Sequence, residues 1–208
     1  MRLILLRHGQ TDSNTNYILD TGAPGADLNA LGREQAEAAV PRLAHFPITG
    51  IYASTLVRSQ QTAAPLAAQL GLPVRVLDGL REVYAGDDDQ IQVTQADLPH
   101  RYELMLHAWK RGDIEAKVPG GENAEEFVHR YDQAIAQIEA DGNECALAVS
   151  HGAALLVWCS ARVAGFAEVA STLQFGNTGF VVADGSLAHG YQLTSTDGLF
   201  EWGSGESW

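Results

Sequence analysis

Apolar residues fall along the chain in two alternating rhythms. Short unbroken runs, RLILLR, GIYAS, PVRVL and CALAVS, read as strands covered on both faces. Between them lie LNALGREQAEAAVPRLAHF, TLVRSQQTAAPLAAQLG and NAEEFVHRYDQAIAQIEADG, whose spacing of apolar positions is helical. Pro41 is expected to kink or split the first of these helices. Gly71 closes the second and Gly142 the third, whose first turn carries acids where the helix dipole favours them. A further helix runs from Ala153, and TGFVVAD and GYQLTST add two more strands. TDSNTNYILDTGAPGAD reads as a polar, glycine-rich loop. Residues 81–118 carry the least pattern, with a helix expected around 98–109. Strands taking turns with helices predict an α/β fold, a three-layer α-β-α sandwich with a mainly parallel central sheet.

The chain has 208 residues, enough for one good-sized core. A single domain over 1–208 is expected, with a variable insertion at about 84–120 and a short tail at about 198–208. A formal net charge of −13 argues against nucleic acid and membranes as partners. Any anionic ligand must therefore be drawn by a local cluster of bases. No apolar stretch reaches membrane-spanning length, and the run from Leu3 to Leu6 is too short for a signal-peptide core, so a cytoplasmic location is expected. The two cysteines, Cys145 and Cys159, sit in apolar segments without metal-ligand spacing and read as buried free thiols.

Two strand ends change the picture. RLILLR runs into Arg7, His8 and Gly9, and CALAVS runs into His151 and Gly152. In open α/β sheets the ligand crevice lies beyond the carboxyl ends of the strands. If these strands are neighbours, two histidines and an arginine converge on one spot. The glycines would let backbone N–H groups approach a ligand, and the helix after His151 would offer its N-terminus to an anion. Such a site suits phosphate. GIYASTLVRSQQTA adds Ser54 and Thr55 at a strand end and Arg58 in the first turn of the next helix. LREVYAG adds Glu82 just after a strand.

Taken singly, a histidine at a strand end or an acid near a loop is ordinary. In order, RHGQTDSN, STLVRSQQTA, LREVYAG and VSHG resemble the motifs of the histidine phosphatase superfamily, the phosphoglycerate mutase-like proteins, with LNALGREQA and PGGENAEEF as softer matches. The resemblance implies that His8 is a nucleophile forming a phosphohistidine, kept unprotonated by Arg7 and Arg58. It implies that Arg7, Arg58 and His151 neutralise the phosphoryl oxygens. Asn14, Thr11 and Gly152 complete the phosphate contacts, and Glu82 is the general acid. Glu122 of PGGEN is the next candidate acid. No metal or cofactor is implied, and the partner is a small phosphate ester. Asp87, Asp88 and Asp89 tempt one toward a metal site, but a run of acids reads more simply as a solvated loop. Tyr102, Met105 and Trp109 read as core.

The chain departs from the family in three places. After the acid the family commonly continues with a glycine, a tryptophan and a second Glu-Gly; here Gly86 is followed by three aspartates, which would repel highly anionic substrates at the pocket mouth. The paired arginines and prolines of the glycolytic mutases are missing from the insertion. LDTGAPGAD is longer than the usual turn, so Tyr17, Thr21 and Gly22 receive no family role. The expected activity is therefore a phosphatase. A phosphoglycerate mutase and an inactive phosphate-ester-binding protein are the alternatives. Neither substrate nor oligomeric state is legible.

Overall fold

The computed structural model describes residues 1–94 and 100–201. Four parallel strands form its centre: β1 (Arg2–Arg7), β2 (Gly50–Ala53), β3 (Val74–Val76) and β4 (Cys145–Ser150). The sheet order is β3-β2-β4-β1-β6-β7-β5, where β5 is Val163–Ala164, β6 Leu173–Ser186 and β7 Gly190–Glu201. β6 runs antiparallel to β1 and to β7. The expected parallel character thus holds for the centre, and a long hairpin extends one side. Both hairpin strands exceed the segments expected from sequence, because the glycines of QFGNTG hide the strand pattern before Phe180. Residues 198–201, expected in a tail, belong to β7. The remainder of that tail lies outside the described residues.

Alternation along the central strands explains the layers. Leu3 and Leu5 of β1, Tyr52 of β2 and Ala146 and Ala148 of β4 enter one core with helices α5 (Ala124–Ala140) and α6 (Gly152–Arg162). Ile4, Leu6, Ile51, Ala53, Leu147 and Val149 enter the other, with α2 (Ala30–Leu43) and α3 (Val57–Leu70). Both faces of β1 are covered, which is why RLILLR is apolar without a break; each such side chain contributes about 1.5–3 kcal/mol when fully buried. α5 starts with a capping box between Asn123 and Glu126 and buries Phe127, Tyr131, Ile135 and Ile138 along one face.

Pro41 does not split α2 in two. It sits in the last turn, and the helix ends at Leu43, so the helix loses the one bond that residue 41 would have made back to the Glu37 carbonyl and still continues past it. The loop after β1 contains a single helical turn, α1 (Asp12–Thr15). The insertion holds α4 (Arg101–Lys110), and Tyr102, Met105 and Trp109 pack into the core as expected. Residue 98, the expected helix start, lies outside the described residues. The helix expected from Ala153 begins at Gly152, and a short α7 (Phe166–Ala170) follows β5. Cys145 and Cys159 are buried free thiols. Among the described residues no helix is long and apolar enough to cross a membrane.

Trp158 is fully buried between Tyr131 and Tyr191, with ring centroids at 5.4 and 5.8 Å. Trp158→Ala is expected to cost about 3–5 kcal/mol in denaturant unfolding. Leu104→Ala, at a side chain 47% exposed, should stay within about 0.5 kcal/mol.

Candidate functional site

The register of β1 against β4 pairs Arg7 with Ser150. The next residue of each chain segment, His8 and His151, therefore emerges at the same carboxyl end of the sheet. Their ring centroids lie 5.1 Å apart. α3 starts close by, after β2, and brings Arg58, whose Nε donates to His8 Nε2 at 3.0 Å. All four side chains are nearly inaccessible: Arg7 is 5%, His8 3%, Arg58 3% and His151 0% exposed.

Hydrogen bonding fixes the His8 tautomer. Nδ1 lies 2.7 Å from the carbonyl oxygen of Gly9, which can only accept, so Nδ1 carries the proton. Nε2 is left with a lone pair, and Arg58 Nε–H points at it. Burial, then Arg58 and Arg7, push the His8 pKa well below its ordinary value. Burial likewise lowers His151, aided by Arg58 and His8. Arg7 itself is pushed down to about 10, chiefly by burial, with Glu82 opposing.

Each cation is held by different means. Arg7 NH1 donates to the Phe175 carbonyl at 2.6 Å, while Nε, though buried, has no partner. Gly152 admits this guanidinium: a Cβ there would stand 3.3 Å from Arg7 Nε. Arg58 NH2 donates to the Asp20 carbonyl at 2.7 Å, and NH1 lies 3.4 Å from the Asp20 carboxylate. The nitrogen Nε2 of His151 is 2.7 Å from Ser54 Oγ, which also touches Ser59 Oγ at 2.8 Å. His151 Nδ1 is buried and unpartnered.

Glu82 reaches the site from the segment after β3. Its Oε1 accepts from Val83 N at 2.8 Å and Ala154 N at 2.7 Å, and Oε2 from Ala153 N at 3.3 Å. The N-terminus of α6, expected to face a bound anion, thus holds Glu82 with two of its amides. Burial raises the Glu82 pKa against these amide bonds and the pull of Arg58. Arg130 of α5 fixes the same segment by donating to the carbonyls of Gly79, Arg81 and Glu82. Glu122 is committed to Arg130 through both oxygens and to Tyr84 N, so it cannot stand in as the acid.

Other expected contacts are differently employed. The Gly9 N–H donates to Thr62 Oγ1 at 2.9 Å rather than facing a ligand. Thr11 and Asn14 form the capping box of α1, with Asn14 Oδ1 accepting from Thr11 N and Thr11 Oγ1 from Asn14 N. The Asn14 amide Nδ2 takes part in neither of these bonds. Asn177 Nδ2 donates to the His8 carbonyl at 3.1 Å and approaches Asn14 Oδ1 at 3.5 Å. It sits in the register shift of β6 between Phe175 and Phe180, beside Thr178, which takes a left-handed φ of 57°. Asp20, Arg130 and Asn177 escaped the sequence reading, because nothing local distinguishes a loop acid, a helix arginine or a strand asparagine.

Of the aspartate run only Asp87 is exposed, as a solvated loop would have it. Asp88 is fully buried and paired with Arg101 and, at 3.6 Å, with His100. Asp89 accepts from Thr21 and Gly22. Among the described residues no group of three or more His, Cys, Asp or Glu is arranged to hold a metal ion.

The profile of the histidine phosphatase superfamily (branch 1) matches residues 3–204. A PE-PGRS family protein of Mycobacterium tuberculosis is 36% identical over 93% of this chain and 36% of its own length. The glucosyl-3-phosphoglycerate phosphatase of the same organism is 35% identical over 69% of this chain and 62% of its own length. The chain thus spans about a third of the first relative and less than two thirds of the second. A solved structure of a mycobacterial glucosyl-3-phosphoglycerate phosphatase with VO3 superposes with a TM-score of 0.78 at 28% identity, covering 93% of this chain and 96% of that one.

Imidazoles buried neutral must charge as the protein is acidified. The unfolded chain binds protons near pH 6.5 and the folded one only lower, so stability is complete above about pH 6.5 and is lost as pH falls toward the folded values. Denaturant unfolding should show stability declining below about pH 6.5, at up to ~1.4 kcal/mol per pH unit for each of His8 and His151. His151→Asn should flatten that slope.

Proposed function

The chain belongs to the histidine phosphatase superfamily, and we propose that it hydrolyses small phosphomonoesters through a phosphohistidine on His8, without metal or cofactor. One observation carries the reading. Beside an imidazole whose Nε2 lone pair meets the Arg58 Nε–H stand, among the described residues, two buried polar atoms without partners, Arg7 Nε and His151 Nδ1. Buried polar groups are almost always satisfied, and a tetrahedral dianion set against Nε2 would satisfy both.

In this mechanism the phosphoryl group enters between Arg7, Arg58 and His151. Arg58 Nε–H turns from His8 Nε2 to a phosphoryl oxygen, which frees the lone pair for in-line attack on phosphorus. The Gly9 carbonyl holds Nδ1–H and stabilises the positive imidazole of the phosphoenzyme. The Ser54 hydroxyl can donate to His151 Nε2, leaving the His151 proton on Nδ1 to meet the phosphoryl group. Glu82, with its raised pKa, protonates the departing alkoxide and then takes a proton from the attacking water. Oε2, which accepts only the 3.3 Å bond, is the oxygen that carries the proton. The relatives named as glucosyl-3-phosphoglycerate phosphatases support hydrolysis. So does Arg101, a cation of the insertion that is spent on Asp88.

Rapid acid-free quenching of enzyme with labelled substrate should trap an alkali-stable, acid-labile phosphoramidate, absent from His8→Ala. A label of unchanged amount in His8→Ala would remove His8 as the nucleophile.

The role of Glu82 depends on how badly the leaving oxygen needs a proton. In single-turnover experiments Glu82→Gln should slow phosphoenzyme formation from an alkyl phosphate by about 10²–10⁴-fold. The loss with p-nitrophenyl phosphate, whose phenolate leaves unaided, should be much smaller. Equal losses would mean that Glu82 only positions Arg58 or the phosphate.

A further inference from the structure

A second anion-binding arrangement lies beside the phosphate cradle, and the protein fills it with its own carboxylate. Asp89 Oδ1 accepts three hydrogen bonds: from Thr21 N at 2.7 Å, Thr21 Oγ1 at 2.8 Å and Gly22 N at 3.1 Å. Successive backbone amides converging on one point form an anion-binding concavity. The fit depends on glycine, since a Cβ at Gly22 would stand 2.7 Å from Asp89 Oδ2.

The position of this nest ties it to the leaving group. Thr21 Oγ1 also accepts from Ala85 N at 3.0 Å, three residues beyond Glu82. On the other side Asp20, the neighbour of Thr21, holds Arg58. Asp89, Gly22 and Asp20 line an open pocket of about 450 Å³ together with Pro24, Gly25 and Gln90. A Cβ on Gly25 would lie 2.6 Å from Arg58 NH1, so the cavity abuts the guanidinium. On the phosphatase reading, in-line attack by His8 puts the alcohol of a phosphomonoester on the opposite side of the phosphoryl group, where Glu82 protonates it. A fixed carboxylate occupies the donors of Thr21 and Gly22 that could otherwise receive a substrate anion, and it sets a negative charge in the wall of the pocket.

Resting on the phosphatase reading above, we propose that Asp89 is a specificity-determining residue that excludes esters bearing a second anionic group near the phosphate. The substrates are then monophosphates of uncharged, hydroxyl-bearing alcohols. The device works by repulsion: it adds nothing to affinity for the right substrate and lowers affinity for the wrong one. Like charges at this range across partly buried protein are worth a factor of about ten or more in binding.

Glycerol 3-phosphate and 3-phosphoglycerate test this directly, because they differ only in a CH2OH replaced by a carboxylate. Binding of both is measured by calorimetry on the His8→Ala protein, which needs no turnover, and kcat/KM for both on the protein with His8 intact. Glycerol 3-phosphate should be preferred at least about tenfold. Asp89→Asn keeps an oxygen to accept from Thr21 and Gly22 while removing the charge, and Asp89→Ser shortens the side chain; each should reduce the preference to within about threefold or reverse it. Equal binding of the two esters with Asp89 in place, or a preference that both substitutions leave intact, would overturn the proposal. Failure of the phosphatase reading looks different: no His8 phosphoenzyme and no turnover of either ester, with the binding preference still measured.

Discussion

The parallel pairing of β1 with β4 is the constraint on which the rest of the site depends. Because Arg7 stands opposite Ser150, the two histidines that follow leave the sheet side by side. A slip of one residue would turn Leu3 and Leu5 toward the helices that Ile4 and Leu6 now face, and every side chain from Leu3 to Leu6 is buried against one layer or the other. The apolar cores therefore hold the register, and the register holds His8 beside His151. The antiparallel β6 on the far side of β1 adds the Phe175 carbonyl for Arg7 and Asn177 for the His8 backbone.

Gathering Arg7, His8, Arg58 and His151 in a nearly dry space is costly. Burial lowers the pKa of all four groups. The protein offsets part of that cost with two acids of its own. Asp20 neutralises Arg58 through both its carboxylate and its carbonyl, and Glu82 lies against the amides of α6. Among the described residues, Arg7 Nε and His151 Nδ1 of this cluster remain buried without partners. On the phosphatase reading these groups belong to a preorganised electrostatic site for phosphoryl transfer, in which the Arg58 Nε–H must turn from His8.

The acidic balance of the chain follows the same logic at longer range. With a net charge of −13, discrimination among phosphate esters can rest on repulsion as well as attraction. The loop 17–22 is zipped to the turn at 89–93 through Leu19–Ile91, Gln90–Leu19 and Val93–Tyr17 backbone bonds. That zipper brings Asp20 to Arg58 and Thr21 to Asp89. A loop longer than the family's turn and an aspartate run unlike its usual continuation thus form one structural unit.

The sequence by itself determined the layers, the strand ends that carry His8 and His151, and the membership of Arg58 and Glu82 in one set. These are legible because buried strands demand unbroken apolar runs and because the chemistry sits directly after them. It did not determine the length of β6 and β7, whose glycines mask the strand period, nor the fate of Pro41, which depends on how far α2 continues. Asp20, Arg130, Asn177 and the separate tasks of Asp88 and Asp89 were decided only by tertiary structure. Each acts across a gap of 38 residues or more in the chain, Asp20 on Arg58, Arg130 on the Glu82 segment, Asn177 on His8, Asp89 on Thr21, or, for Asp88 and Arg101, across the insertion. Local sequence records the type of such a residue. Only the packed chain supplies the partner that gives it work to do.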